Sequence, residues 1–458
     1  MIERFGLLVV TMHAQAINEL INSGDKDEFG KQKAFIDPAF DLYTVLNKKY
    51  CIGSSDRETV EKVFSQAKDA YYAQNYGEAV ELFRQVIKMD SAYASQNGCY
   101  WHIGKCYREW KKYNEAESAF KDSIRHDQTK PYKRQAFYDG LRLFLFTMPT
   151  GEQSYLGAVD YLKDVYGFAP DPYILQSVWY EIGHIYVEQL AKLSTNTAAK
   201  REEYLLKAVE AYKYKDENFP GTPDPDLENH KLPGSGIYYA GDTYGQLAVI
   251  SGLSNEKKAD YYKKAIAEFQ RVIDDYPGSS YAPSAYNSAG NACQTVPQML
   301  TDKQEKIVFF ERAIDYFKTL REKYYTFWAS EGALLSMGSC HMKIGYGVHY
   351  TDYASQISAM EFGRENLEAA AALFRRFIGE YPGSSSVPTC RNFLGEALRN
   401  LADSFWTSEE STSGITAYDE SIAEFGTVAG DQSILYPYRI SALEQIAVCG
   451  IRTARIYR

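Results

Sequence analysis

The chain has 458 residues, of which 45% are hydrophobic and 24% are charged, and its formal net charge is -10. This is the composition of an ordinary folded protein, and an acidic balance without a basic run argues against nucleic-acid binding. No apolar segment of the sequence is long enough to cross a bilayer, so no membrane span is predicted.

Residues 1–54 form a leader that lacks the pattern of the rest of the chain. The apolar run Phe5–Val10 precedes the tripeptide Ala-Gln-Ala at 14–16, and this A-x-A spacing is typical of a signal-peptidase site. The sequence therefore predicts export, with residues 1–16 as a remnant of a signal segment. The alternative is an amphipathic helix that frays at its amino terminus.

From residue 55 onward one short motif recurs, an alanine followed four residues later by a large apolar residue. Residues four apart share one face of a helix, so each motif predicts a helix that packs through a small and a bulky side chain. The seven pairs are Ala79 and Phe83, Ala116 and Phe120, Ala158 and Leu162, Ala208 and Tyr212, Ala265 and Phe269, Ala313 and Phe317, and Ala370 and Phe374. In a weaker eighth copy, Gly414 and Tyr418 are assigned to these two positions.

A second helix precedes each motif and carries a small residue near its centre. Small residues at a helix crossing let two helices approach closely. These residues are Ala67 in the first copy and then Gly104, Gly140, Gly183, Gly241, Gly290, Gly338 and Gly395. Since each such pair buries its apolar face only against its neighbours, the sequence predicts an all-α solenoid of antiparallel helix pairs. It comprises about eight repeats over residues 55–433.

The clearest copy runs from Tyr100 to Gln128 and separates Gly104 from Ala116 by twelve residues. It resembles the tetratricopeptide repeat family, and the resemblance extends over residues 56–426. The resemblance implies a right-handed superhelix whose first helices line a concave, protein-binding surface. Later copies have longer gaps between glycine and alanine, which predicts lengthened helices or loops.

Two turns between repeats read YPGSS, at Tyr276–Ser280 and Tyr381–Ser385. They resemble a tetratricopeptide subclass of bacterial envelope proteins, which implies a periplasmic or envelope-associated location. The serines are suited to cap the helix that follows each turn. Thr301 and Gln304 predict a capping box at the start of another helix.

Two further segments interrupt or end the array. Four prolines fall in Phe219–Gly236, which predicts a long loop and a junction between two halves of the array. Residues 434–458 predict a closing helix that covers the apolar edge of the last repeat.

No catalytic motif is found: the sequence has no phosphate-binding glycine loop, nucleophile elbow or H-E-x-x-H. It predicts neither an enzyme nor a cofactor. Cys99, His102 and Cys106 share a helical face, as metal ligands would. The position of Cys106 is alanine in other copies, however, as at Ala292 and Ala397. We therefore interpret these cysteines as small core residues and predict no metal.

Two positions in each first helix, three before and one after the small residue, are four apart and share a face. The family resemblance places them on the concave surface, where large aromatic side chains are typical binding hot spots. The alternative is that these rings pack on neighbouring helices. The predicted partner-binding residues are Phe64, Trp101, Lys105, Phe137, Tyr180, His184, Tyr238, Asp242, Asn287, Asn291, Asn392 and Glu396.

The sequence thus predicts a non-enzymatic scaffold of the bacterial cell envelope that binds a protein or peptide partner in its groove. One alternative is a structural subunit that packs into a larger or self-assembled complex. The other is a cytosolic adaptor.

Overall fold

The computed structural model describes residues 57–193, 195–220, 232–347, 356–405, 411–432, 434 and 436–456. Every element within these ranges is helical, so the predicted all-α class is confirmed. The α-helices, numbered in chain order, are α1 (Arg57–Tyr72), α2 (Tyr76–Met89), α3 (Ser91–Gln96), α4 (Cys99–Glu109), α5 (Tyr113–His126), α6 (Lys130–Arg142), α7 (Glu152–Phe168), α8 (Pro172–Ile185), α9 (Ala198–Asn218), α10 (Ser235–Ala248), α11 (Asn255–Asp275), α12 (Ala282–Thr295), α13 (Lys303–Lys323), α14 (Ser330–Met342), α15 (Gln356–Glu380), α16 (Val387–Ser404), α17 (Ser411–Gly430) and α18 (Tyr436–Ile456).

The chain divides into two compact units. Unit 1 comprises its described residues up to 150 together with 167–170, and unit 2 comprises residues 151–166 and those from 171 onward. Unit 1 contains the pairs α1/α2 and α4/α5 and then α6. Unit 2 contains α8/α9, α10/α11, α12/α13, α14/α15 and α16/α17 and then α18. Within each unit the helices of a pair pack on each other and on the next pair, which confirms the predicted stacking.

The junction predicted at 219–236 falls inside unit 2, and residues 221–231 of that segment lie outside the described ranges. The buried Lys215 binds the chain on either side of this segment. Its Nζ donates to Asp216 Oδ1 at 2.7 Å, to Ser235 Oγ at 2.8 Å and to the carbonyl of Leu232 at 3.0 Å. The carboxylate of Asp216 in turn accepts the amide of Ile237 at 2.8 Å. These bonds join the end of α9 to the start of α10.

At several repeat glycines, an aromatic ring of the following helix fills the space that a side chain on the glycine would occupy. Each such space is called a socket. A Cβ atom placed at Gly290 would lie 2.7 Å from the Phe317 ring, and one at Gly241 would lie 2.7 Å from the Phe269 ring. Gly104 with Phe120 and Gly183 with Tyr212 have the same arrangement, at 2.6 Å each. The alanines four residues before these rings are fully or almost fully buried. The predicted register is therefore confirmed for these copies, and the glycine makes room for a side chain.

The last repeat departs from the predicted register. The ring that occupies the socket of Gly395 belongs to Phe425, not to Tyr418. Ser421 takes the position of the alanine, fully buried, and its Oγ donates to the carbonyl of Gly395 at 2.8 Å. The assignment of Gly414 and Tyr418 is wrong because α17, with 20 residues, is far longer than the 14-residue second helices of unit 1, so its contact with α16 lies later in the helix.

The segment predicted to close the array contains α18, which buries Ala442 and Cys449 beside Phe425 in a separate small core. The surplus residues of the later repeats lie mainly in longer second helices. Helices α9, α11 and α13 have 21 residues each, whereas α2 and α5 have 14.

Each YPGSS turn is bonded to a neighbouring segment of the chain, and its serines do not cap the next helix as predicted. Neither α12 nor α16 has a side-chain cap. Ser279 Oγ instead donates to the carbonyl of Pro233, in the turn before α10, at 2.8 Å, and Ser384 Oγ donates to Glu331 in the first turn of α14. Between them, the hydroxyl of Tyr324 donates to the carbonyl of Pro277 at 3.3 Å. Four successive turns on unit 2 are thus connected by side-chain hydrogen bonds.

The predicted capping box at Thr301 and Gln304 is displaced by one residue. Asp302 is the N-cap of α13, and its Oδ1 accepts the amide of Glu305 at 2.7 Å. A carboxylate at this position also interacts favourably with the helix dipole, which explains why Asp302 serves as the cap.

Candidate functional site

A groove of about 340 Å³ lies between the first helices α10 and α12 of unit 2, with α11 beneath it. Two of the predicted binding residues, Asp242 on α10 and Asn291 on α12, are exposed along it. Gly245 lies one turn beyond Gly241 and has open space around it, because no atom comes within 4 Å of a Cβ atom placed there. Because Gly241 and Gly245 carry no side chains, the α10 side of the groove is open to a ligand.

Polar side chains alternate with apolar ones on the groove surface. Gln246 Nε2 donates to Asp242 Oδ2 at 3.0 Å, and Thr295 Oγ1 donates to the carbonyl of Asn291 at 2.8 Å. Tyr262 and Phe269 of α11 supply apolar surface, and the exposed Val249 lies at one end. Such a mixture suits a ligand with both side chains and a polar backbone.

Tyr238, another predicted residue, lies beside the groove and is half-buried. Its hydroxyl is 3.5 Å from Ser288 Oγ, which lines the groove on α12. The Tyr238 ring contacts Tyr239 at 5.6 Å and Tyr281 at 5.1 Å between centroids. Burial raises the pKa of Tyr238, so its hydroxyl stays protonated and is available as a hydrogen-bond donor.

Tyr180 belongs to the packed interior of unit 2. It is buried and contacts Tyr212 at 5.8 Å and Tyr239 at 5.4 Å, so its ring joins consecutive repeats. His184 is half-buried and stacks on Tyr180 at 6.0 Å; burial lowers the pKa of its imidazole, which is neutral at pH 7. The prediction of Tyr180 as an exposed anchor is wrong, because its ring fills space between helices.

Two residues of the predicted stripe in unit 1 are also core residues. Phe137 is fully buried, and Phe64 is buried with its ring edge-on to Phe83 at 5.7 Å and Tyr93 at 5.8 Å. As surface anchors these two predictions are wrong. The Phe64 ring turns toward α2, the second helix of the same pair, where its apolar area is removed from water.

Trp101 and Lys105 do reach the surface of unit 1, and both are half-buried. Trp101 Nε1 donates to Asp139 Oδ2 on α6 at 2.9 Å. Lys105 Nζ lies 4.5 Å from the centroid of the Trp101 ring and 5.0 Å from that of Tyr71. The indole is thus held by a hydrogen bond on one side and a cation on its face.

The remaining predicted residues do not gather at one place. Asn287 on α12 is half-buried, and it precedes Ser288 without lining the groove. Asn392 and Glu396 are half-buried on α16. Burial raises the pKa of the Glu396 carboxyl, and the nearby charge of Arg399 offsets only part of that rise. The roles of the accessible residues in binding a partner stay predictions.

Three polar groove residues were not predicted from the sequence: Gln246, Ser288 and Thr295. Gln246 and Thr295 each lie five residues after a repeat glycine, one helical turn beyond the position that was considered. Extending the predicted face of each first helix by one turn would therefore have included Gln246 and Thr295.

Cys99 and Cys106 of unit 1 are packed in the core, and His102 is half-buried beside aromatic rings. Cys99 and Cys106 are fully buried, and burial raises the pKa of the Cys106 thiol to about 12. His102 stacks on Phe83 at 5.0 Å, and burial lowers its pKa to about 4. Within the described ranges no three side chains converge as metal ligands. No helix in the described part of the chain has the length and apolarity of a membrane span.

Comparison with known proteins supports the tetratricopeptide resemblance over part of the chain. Residues 64–131 match the model of a tetratricopeptide repeat family. No curated protein matches the sequence. Together with the stacked helix pairs, the family match supports in general terms a scaffold of the tetratricopeptide type for protein interaction.

Solved structures of other proteins are similar to this chain at low identity. One is the C-terminal part of a tetratricopeptide repeat-containing protein from Cytophaga hutchinsonii, at 16% identity and a TM-score of 0.33, covering 71% of this chain and 98% of that one. Another is the nuclear import adaptor Nro1 of S. pombe, at 10% identity and a TM-score of 0.37, covering 73% of this chain and 99% of that one.

Proposed function

We propose that this protein is a non-enzymatic scaffold whose unit 2 groove binds a peptide segment of a partner protein. The observation that carries the proposal is the open wall at Gly245, beside Asp242 and Asn291 on facing helices. A segment lying between α10 and α12 meets a carboxylate and an amide on the α10 side, an amide and two hydroxyls on the α12 side, and apolar surface beneath.

These groups are suited to bind peptide backbone. The side chains of Gln246 and Asn291 each offer both a donor and an acceptor, as a peptide unit does. Ser288 and Thr295 add hydroxyls on the α12 side. Because peptide groups lose water on binding, partners for their N–H and C=O decide whether binding is favourable.

A groove-filling substitution tests the proposal without disturbing the core. In Gly245→Leu the new side chain enters open space, and replacing a helical glycine also favours the helix. Gly332→Leu is the matched control, because Gly332 of α14 is exposed, has equally open surroundings and does not line the groove. The assay is capture of partners from the native host, quantified by mass spectrometry for wild type and both variants.

We expect Gly245→Leu to lose the specific partner and Gly332→Leu to retain it, with both variants fully helical. Equal capture by all three proteins would show that the groove is not the binding site. Loss in both variants would indicate a general effect on the fold instead.

We further propose that the protein works in the bacterial envelope. This rests on the A-x-A tripeptide at 14–16, which lies outside the described residues, and on the YPGSS turns. Amino-terminal sequencing of the native protein tests it, with Ile17 expected as the first residue. A chain that begins at Met1 and fractionates with cytosolic markers would favour the cytosolic adaptor.

A structural subunit is the second candidate, and one exposed aromatic site favours it. At the turn between α13 and α14, Trp328 is 79% exposed and Tyr325 is 59% exposed. Exposed aromatic side chains are typical of contact surfaces. Light scattering after size exclusion is the test: a concentration-dependent oligomer that Trp328→Ser abolishes would support self-assembly, whereas a monomer at all concentrations would count against it.

A further inference from the structure

A second cavity of unit 2 lies between the second helices α13 and α15, with the first helix α14 between them. Its volume is about 580 Å³, compared with about 340 Å³ for the groove between α10 and α12. This volume falls in the range of roughly 300–1,000 Å³ that is typical of small-ligand sites. The α13–α15 cavity shares no lining residue with the groove, so a ligand bound there is separate from the peptide segment proposed above.

Apolar side chains from all three helices line part of this cavity. Met337 of α14 is buried, and the half-buried Ile314 and Leu373 lie beside it on α13 and α15. The exposed Tyr325 lines the cavity where α13 ends, and the guanidinium of Arg321 lies 5.2 Å from the centroid of its ring. The cavity can therefore remove the apolar body of a ligand from water.

A chain of charged groups holds Arg376 in place on the α15 side. Arg321 is buried; its Nη1 donates to the hydroxyl of Tyr381 at 3.0 Å, and its Nη2 donates to Glu380 Oε2. The other carboxylate oxygen of Glu380 accepts Arg376 Nε at 2.6 Å. The two Nη groups of Arg376 have no further partner among the described residues, so they are available to a carboxylate of a ligand.

On the α13 side, three exposed charged residues of alternating sign line the cavity: Asp315, Lys318 and Glu322. In the described part of the chain none of the three forms an ion pair with a protein group. His341 of α14 also lines the cavity, and its Nδ1 donates to Asn366 Oδ1 at 2.9 Å, since an amide oxygen only accepts. Its Nε2 is therefore available to a ligand. The cavity combines available charges of both signs with apolar surface.

We propose that the α13–α15 cavity binds a small zwitterion with an apolar body, of the class of free short peptides. The carboxylate of the ligand binds Arg376 and Lys318, and its ammonium group binds Asp315. The apolar side chains of the ligand pack on Met337 and Leu373.

The mixture of charges decides the class of ligand. A simple anion would face the carboxylates of Asp315 and Glu322, and a simple cation would face Lys318 and Arg376; such like-charge contacts are unfavourable. A zwitterion can pair with groups of both signs. Asp315 and Glu322 lie about 10 Å apart along α13, and an extended chain of three residues spans about the same distance. A segment inside a protein chain carries neither terminal charge, so it lacks the groups that this cavity recognises.

The probe is trileucine with free termini, and isothermal titration calorimetry measures its binding to the full chain. Acetylation of trileucine removes its ammonium group, and amidation removes its carboxylate. We expect trileucine to bind wild type saturably with a Kd below about 100 μM, and each derivative to bind about tenfold more weakly. This comparison uses wild-type protein alone, so it does not depend on the folding of a variant.

Two variants assign each terminal charge of the ligand to a residue. Asp315→Asn should weaken binding of trileucine about tenfold but leave binding of the acetylated form unchanged, because that form has no ammonium group. Arg376→Gln should weaken binding of trileucine about tenfold but leave binding of the amidated form unchanged. The matched controls are Glu311→Gln and Arg375→Gln, at exposed residues of α13 and α15 that do not line the cavity. Each control should change the affinity less than about twofold, because distant exposed charges are screened.

Gly245→Leu separates this proposal from the one for the groove. This variant fills the unit 2 groove and should bind trileucine as wild type does. Loss of trileucine binding in Gly245→Leu would place the ligand in the groove and overturn the assignment to the cavity. The proposal is also overturned if wild type does not bind trileucine saturably, if the free and capped peptides bind equally well, or if the control variants weaken binding as much as Asp315→Asn and Arg376→Gln.

Discussion

The socket at Gly290 gives the sharpest test of how the repeats are held together. In Gly290→Ala the new methyl group would lie 2.7 Å from Cε1 and Cζ of Phe317, well inside the about 3.5–4.0 Å at which carbon atoms attract. Phe317 is almost fully buried in the core of unit 2, so its ring cannot turn away into solvent.

Two opposing effects set the magnitude. Overpacking of a filled core costs about 1–3 kcal/mol, whereas replacing glycine by alanine inside a helix gains up to about 1 kcal/mol. We therefore expect Gly290→Ala to lower the free energy of unfolding by about 1–2 kcal/mol. Gly245→Ala, where no atom lies within 4 Å, should instead raise it by up to about 1 kcal/mol.

Urea denaturation gives the overall change, and hydrogen exchange of α12 and α13 locates it. Because repeat units couple mainly to their neighbours, faster exchange should concentrate in these helices. Phe317→Leu should recover part of the loss when combined with Gly290→Ala, because the smaller side chain leaves room for the methyl group. If Gly290→Ala were as stable as Gly245→Ala, the socket would be an incidental contact and the reasoning would fail.

Two further changes test buried charges. Lys215→Ala leaves the buried Asp216 without its cation, so the free energy of unfolding measured by urea denaturation should fall by about 3–5 kcal/mol. Lys192→Ala, which removes the exposed ion pair with Glu188, should lower it by less than about 1 kcal/mol. Burial raises the pKa of Asp127 to about 7 from its usual 3.8, so the folded state holds this proton where the unfolded state releases it. The contribution of Asp127 to the free energy of unfolding should therefore be largest below pH 4 and decline between pH 4 and pH 7, by on the order of a few kcal/mol. Asp127→Asn should flatten that decline in unfolding curves measured across this pH range.

The sequence predicted the repeats well because their packing depends on residue size at fixed spacing. The alanines and glycines mark the helix crossings, and Gly104, Gly241 and Gly290 lie where their size is required. The last repeat was predicted wrongly because size alone is ambiguous. Ser421 and Gly414 are both small residues, and the length of α17 decides which of them faces Gly395.

The binding surface was harder to predict because helical periodicity gives the face of a residue but not its burial. Phe64 and Phe137 share a repeat position with Trp101, yet only the indole reaches the surface. The difference depends on tertiary partners such as Asp139, which holds the indole nitrogen from another helix. Residues at unremarkable positions, such as Gln246, became relevant only when α12 faced them across the groove.

The connected turns of unit 2 have a mechanical consequence. Hydrogen bonds from Ser279 to Pro233, from Tyr324 to Pro277 and from Ser384 to Glu331 form a seam along one edge. A tensile load that separates neighbouring helix pairs must break each hydrogen bond of the seam in turn. The distance between α10 and α12 at the groove can change without breaking any of these bonds. We therefore expect unit 2 to resist extension at the edge formed by the turns. The spacing between first helices, where a ligand would bind, should change more readily.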